Sequence, residues 1–191
     1  MVLDLDASMG RVLQALEDAG AADNTVVLFF SDNGGERFSY QWPLSGQKFS
    51  LLEGGIRVPT ILRWPRHIGP GQTSATPVVT MDWTATLLAW AGSPPPAGAY
   101  ALDGTDLTGH LLREESLPER ELFWRVRHER ALRRGDWKYY ATETAQGWTE
   151  RLFDLSRDLR EQADLSQHHP ELLDELRRAW SDTADALLPY N

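Results

Sequence analysis

The chain has 191 residues, 41% hydrophobic and 25% charged, the balance of an ordinary globular protein long enough to bury a core. Its 28 acidic against 19 basic side chains give a formal charge of −9, a field that repels phosphate backbones and anionic lipid, so neither nucleic acid nor a membrane surface is an expected partner. Cysteine is absent, which excludes disulfides, thiolate metal sites and a cysteine nucleophile.

Met1 to Asp6 lacks a basic flank followed by an apolar run, so no signal peptide is expected, and as written the chain would stay in the cytoplasm. Met9, Val12, Leu13 and Leu16 recur at helical spacing, with Asp6 or Ser8 as candidate N-cap and Gly20 as the stop. The run from Thr25 to Phe30 predicts a buried central strand, and it ends in Ser31, Asp32, Asn33, Gly34 and Gly35. A polar, glycine-rich loop after such a strand is where open α/β sheets place ligands. Residues 36–47 lack periodicity and read as a surface loop, and a second strand follows at Val58 to Trp64. Asp82 is a candidate cap for a helix whose face is Leu87, Leu88 and Ala91 and which stops at Gly92, with a proline break over Ser93 to Gly98.

Beyond Leu112 the chain becomes charged, and we expect two parts, residues 1–115 and 116–191. Glu121 to Val126, Arg130 to Arg133, Trp137 to Ala141 and Glu150 to Asp154 predict an antiparallel sheet, with Arg134, Gly135 and Asp136 as one turn. Pro170 opens a last helix that covers the sheet with Leu172, Leu173, Leu176, Ala179, Trp180, Thr183 and Leu187. The tryptophans read as core, except Trp42 in the loop between the two motif segments.

Asp32 and Asn33 offer two hard oxygen donors of the kind Ca²⁺ or Mg²⁺ accepts, although Asp, Asn and Gly also form ordinary turns. Lys48 lies shortly before Glu53, Gly54, Gly55, Ile56 and Arg57. Beside a cation such a lysine is a natural point charge for a sulfate or phosphate ester; alone it reads as a solvated surface residue. Glu53 and Arg57 read as a structural ion pair holding the turn.

The ordered series Thr25–Phe30, Ser31-Asp32-Asn33-Gly34, Gly46, Lys48, Glu53-Gly54-Gly55, Arg57-Val58-Pro59 and Arg63-Trp64-Pro65 resembles the sulfatases of the alkaline-phosphatase superfamily. Met81-Asp82, Gly92, Asp103-Gly104, Trp137-Lys138, Leu152 to Leu155, Asp158 and Glu161 extend the resemblance along nearly the whole chain. It implies an α/β fold: part of an alkaline-phosphatase-like mixed sheet with flanking helices, followed by a small antiparallel sheet packed on a C-terminal helix. It further implies sulfate-ester hydrolysis in which formylglycine, an oxidised cysteine or serine, attacks the sulfur as its hydrate while a divalent cation, usually Ca²⁺, neutralises sulfate oxygens. Asp32 and Asn33 are then metal ligands and Lys48 the substrate contact.

The family's nucleophile motif and two early metal-binding aspartates have no counterpart here, so the N-terminal catalytic half is expected to be missing and the isolated chain inactive, with a sulfate ester as partner once that half completes it. Ser116-Leu117-Pro118-Glu119-Arg120 fits the serine form of the motif, but it falls in the charged connection rather than near the start, and it reads as a chance match. His67, His110, His128, His168 and His169 match no catalytic position. The alternatives are a phosphonate or phosphate monoester hydrolase of the same superfamily, or a non-catalytic remnant acting through protein association. The oligomeric state stays open.

Overall fold

The computed structural model describes residues 2–93 and 102–189. Most of the proline break expected after Gly92 lies outside the described residues. The chain divides into two units that do not follow chain order: residues 1–29 with 60–118, and residues 30–59 with 119–191.

In the first unit, helix α1 spans Val2–Asp18 and ends at Gly20, whose φ of 64° is open to a residue without Cβ. The helix starts ahead of both proposed caps. Ser8 instead donates its hydroxyl to the Asp4 carbonyl, one turn back, as serines do inside helices. Met9, Leu13 and Leu16 are half-buried, whereas Val12 faces solvent. Strand β1 (Val27–Phe30) pairs with β2 (Thr60–Arg63), and the expected full burial of β1 is not found: all four of its residues are half-buried.

Helix α3 spans Thr80–Trp90, with α2 (Glu53–Ile56) preceding it in the chain. Asp82 is its third residue rather than its cap. The Asp82 carboxylate accepts the Val79 N–H at 2.8 Å and the Thr105 N–H at 2.9 Å, so it closes the helix start and ties in a segment 23 residues away. That burial turns the helix so that Asp82, Trp83, Ala85 and Thr86 face inward and Leu87 is exposed, contrary to the face expected from Leu87, Leu88 and Ala91. Helix α4 (Thr108–Arg113) was not foreseen; Thr86 Oγ1 accepts the Leu107 N–H at 2.9 Å at its start. His110 Nε2 lies 3.0 Å from Ser74 Oγ and its Nδ1 3.0 Å from the Glu115 carbonyl.

In the second unit, β3 (Glu121–Val126), β4 (Glu129–Arg134), β5 (Trp137–Thr144) and β6 (Gly147–Asp154) form an antiparallel meander in sequence order. Side chains alternate between its faces. Leu132, Tyr139, Ala141 and Leu152 pack against Leu176 and Trp180 of α5 (Pro170–Ala186), while Ala131, Tyr140, Phe153 and Leu155 pack against Leu51. The register Leu132↔Tyr139↔Leu152 places the first set side by side, as the period of two requires. Pro170 occupies the first turn of α5 as expected, whereas Leu187 lies beyond its end and is 44% exposed. The sheet thus carries α5 on one face and the segment leading into α2 on the other.

Candidate functional site

Leaving β1, the backbone makes a polar loop over residues 31–35 in which Gly34 has no room for a side chain. The Gly34 N–H donates to the Gly55 carbonyl at 2.8 Å, and a Cβ on Gly34 would stand 1.8 Å from the Gly54 carbonyl oxygen. A Cβ on Gly55 would stand 2.0 Å from the Ser50 carbonyl oxygen. The Gly-Gly pair, read from sequence as a turn, forms the short helix α2, whose Gly54 N–H donates to Ser45 O at 2.6 Å. The Lys48 N–H in turn reaches the Gly35 carbonyl at 2.9 Å. Backbone contacts between glycines therefore bring the Asp32-Asn33 segment and the Lys48 segment onto one cradle.

Asp32 is exposed and Asn33 half-buried, and Asn33 Nδ2 lies 2.7 Å from Asp32 Oδ2. The two side chains are near enough to share one coordination sphere, and as a carboxylate and an amide they offer the hard oxygen donors that Ca²⁺ takes. Among the described residues no three His, Asp or Glu side chains gather into a metal-holding group, so the donors this chain offers here are the two of Asp32 and Asn33. Lys48 Nζ sits 3.6 Å from Glu36 Oε2 and 5.3 Å from the Phe49 ring centre. Its ammonium thus has one carboxylate as a partly exposed neighbour, a weak surface pairing. Trp42, the one tryptophan set apart in the sequence reading, is 66% exposed in this loop, while Trp83 and Trp180 are buried. Ser116 is exposed in the irregular stretch between α4 and β3.

Beneath the cradle is a buried ionic group that sequence reading missed. Glu53 does pair with Arg57, at 3.5 Å, but Arg57 is largely exposed and two other cations matter more. Lys138 Nζ lies 2.9 Å from Glu53 Oε1 and 2.7 Å from Glu161 Oε1, all three side chains being at most 3% exposed. Arg133 Nη1 stands 3.9 Å from Glu53 Oε2. Glu161 Oε2 also accepts the Glu53 N–H at 2.6 Å. Burial pushes Glu161 above the usual carboxylate range against the pull of Lys138, and burial lowers Arg133 from its ordinary value while Glu53 opposes it. The sequence held these residues as separate motif members; only the fold joins positions 85 residues apart.

A family model described as Sulfatase matches residues 1–93. Human arylsulfatase A is 34% identical over 188 residues, a match covering 93% of this chain and 36% of that protein. The N-acetylgalactosamine-6-O-sulfatase of Bacteroides thetaiotaomicron is 29% identical over 202 residues, covering 92% of this chain and 39% of its own length. Among solved structures, Ps i-CgsB in complex with k-i-k-neocarrahexaose superposes with a TM-score of 0.83 at 30% identity, over 95% of this chain and 41% of the other. The phosphonate monoester hydrolase of Agrobacterium radiobacter shares the fold, with a TM-score of 0.70 at 24% identity, over 98% of this chain and 40% of its own. This chain thus spans about two fifths of the length of each of these proteins.

Proposed function

We propose that this chain, which belongs to the sulfatase family, carries the cation-facing and sulfate-facing part of a sulfate-ester hydrolase site. Asp32 and Asn33 are the cation ligands and Lys48 is the sulfate contact. The observation that carries the reading is the glycine cradle: Gly34 N–H to Gly55 O and Lys48 N–H to Gly35 O draw together two segments that neither periodicity nor local propensity would pair.

A bound Ca²⁺ would neutralise charge on sulfate oxygens. The chain's own residues do the rest of what can be assigned here. Asp32 and Asn33 are the residues that would hold the cation, each offering it an oxygen donor. Lys48, tethered through its backbone rather than its side chain, swings its ammonium from Glu36 to a sulfate oxygen and opposes the charge that grows there as the ester bond lengthens. The attacking group, formylglycine in the family, and the remaining cation ligands belong on this reading to other sequence. Among the described residues no helix is long and apolar enough to cross a membrane. Sulfate is preferred over phosphonate esters because the sulfatase relatives reach 34% identity, whereas the phosphonate hydrolase shares only the fold.

The test is Ca²⁺ titration by calorimetry on the 191-residue chain, with Asp32→Ala as control. A site with few ligands is expected to bind with a Kd of roughly 10⁻⁴ to 10⁻³ M and to lose that binding in the variant. A natively folded chain whose Ca²⁺ binding is absent, or is unchanged by Asp32→Ala, overturns the assignment.

A further inference from the structure

We infer that Lys138, far along the chain in β5, is a positioning residue for this cation and sulfate site, acting through Glu53 and the glycine cradle. The inference rests on the function proposed above for Asp32, Asn33 and Lys48.

Lysines normally keep their ammonium in water, even when the stem is covered. Lys138 does not: it is fully buried in the sheet, with Glu53 Oε1 at 2.9 Å and Glu161 Oε1 at 2.7 Å. Such a buried ionic group is poor evidence for stability, because desolvation offsets most of its attraction; fixing a geometry is the use best attested for it. Here the geometry fixed is that of Glu53, the first residue of α2. Lys138 holds its carboxylate, and Glu161 holds its backbone N–H at 2.6 Å. With Glu53 clamped at both ends, α2 cannot slide or rotate against the sheet.

The next two residues are the cradle. Gly54 N–H donates to Ser45 O on the Lys48 side, and Gly55 O accepts the Gly34 N–H on the Asp32 side. A displacement of Glu53 is therefore passed to both halves of the site by rigid backbone. Two further bonds hold the same segment within the second unit: Leu51 N–H to Glu129 Oε2 at 2.6 Å from β4, and Ser45 Oγ to Arg160 O at 2.5 Å. Neither touches Glu53, so loss of Lys138 would free α2 without releasing the whole loop. The C-terminal sheet thus contributes to the site by holding α2.

The experiment compares Lys138→Met and Glu53→Gln with the parent 191-residue chain by amide hydrogen exchange and by Ca²⁺ calorimetry. Glu53→Gln keeps the side chain's shape while removing the charge that Lys138 grips, and it decides the matter if Lys138→Met does not fold. Expected is exchange about tenfold faster or more at Gly34 and Gly54, while the amides of Tyr140 and Arg151, opposite one another in β5 and β6, change by less than about threefold in Glu53→Gln. Asp32-dependent Ca²⁺ affinity should fall by about tenfold in parallel. Unchanged protection at Gly34 and Gly54, or equal loss throughout the sheet, overturns the positioning role. Absence of Ca²⁺ binding in the parent chain would instead remove the cation assignment, and the exchange result would still decide whether Lys138 fixes the cradle.

Discussion

Gly34→Ala isolates the cradle from the chemistry it supports. The added Cβ would stand 1.8 Å from the Gly54 carbonyl oxygen, 2.7 Å from its carbon and 2.8 Å from Gly55 Cα, all backbone atoms that no rotamer change can move aside. Ordinary contact is near 3.5 Å, so the two segments must separate by about 1.7 Å. That opening breaks the 2.8 Å bond from Gly34 N–H to Gly55 O. Losing the bond costs about 1 kcal/mol and the overpacking about 1–3 kcal/mol more, a total of about 2–4 kcal/mol. Gly10→Ala is the matched control: nothing lies within 4 Å of the new methyl, and inside α1 it should stabilise by about 0.5–1 kcal/mol. Urea unfolding followed by tryptophan fluorescence reads both, and Ca²⁺ calorimetry reads the site. A Gly34→Ala chain within about 0.5 kcal/mol of the parent, with unaltered Ca²⁺ affinity, would refute the claim that backbone contact at this point holds the two segments together.

Three other perturbations test the packing. Leu132→Ala empties a fully buried place between the sheet and α5 and should cost about 2–5 kcal/mol by denaturant unfolding, whereas Val12→Ala, on the exposed side of α1, should stay within about 0.5 kcal/mol. Thr86→Val keeps the shape but strips the Leu107 N–H of its acceptor, and should lower stability by about 1–3 kcal/mol in thermal unfolding. Burial raises the Glu161 pKa in the folded chain, so its ionisation opposes folding. As pH falls from above that raised value toward the ordinary glutamate range, the parent should gain stability relative to Glu161→Gln, opposite to the usual acid trend, and urea midpoints measured from pH 7 to pH 4.5 give the difference.

What the sequence could and could not disclose follows from the range of the forces involved. The meander β3–β6 and the helix α5 were legible because alternation and helical spacing are local, and Gly135 and Pro170 punctuate them by local backbone geometry. Helix α2 was not, since two glycines in four residues argue against helix; it exists because Glu53 is anchored from β5 and the glycines must meet other backbone. Asp82 shows the same limit. An aspartate before an apolar stretch reads as an N-cap, but Asp82 closes the helix start from its third position through Val79, and its other partner, Thr105, lies 23 residues on and keeps it buried. For the site, residue types alone left Asp32, Asn33 and Lys48 open between turn or surface and ligand contact, and only the ordered resemblance singled them out; the carboxylate beside Lys48 and the lysine beneath Glu53 are not visible without the fold. Side chains that hold others in place work in pairs across the fold, and a pair such as Lys138 and Glu53, 85 residues apart, has no signature in either member alone.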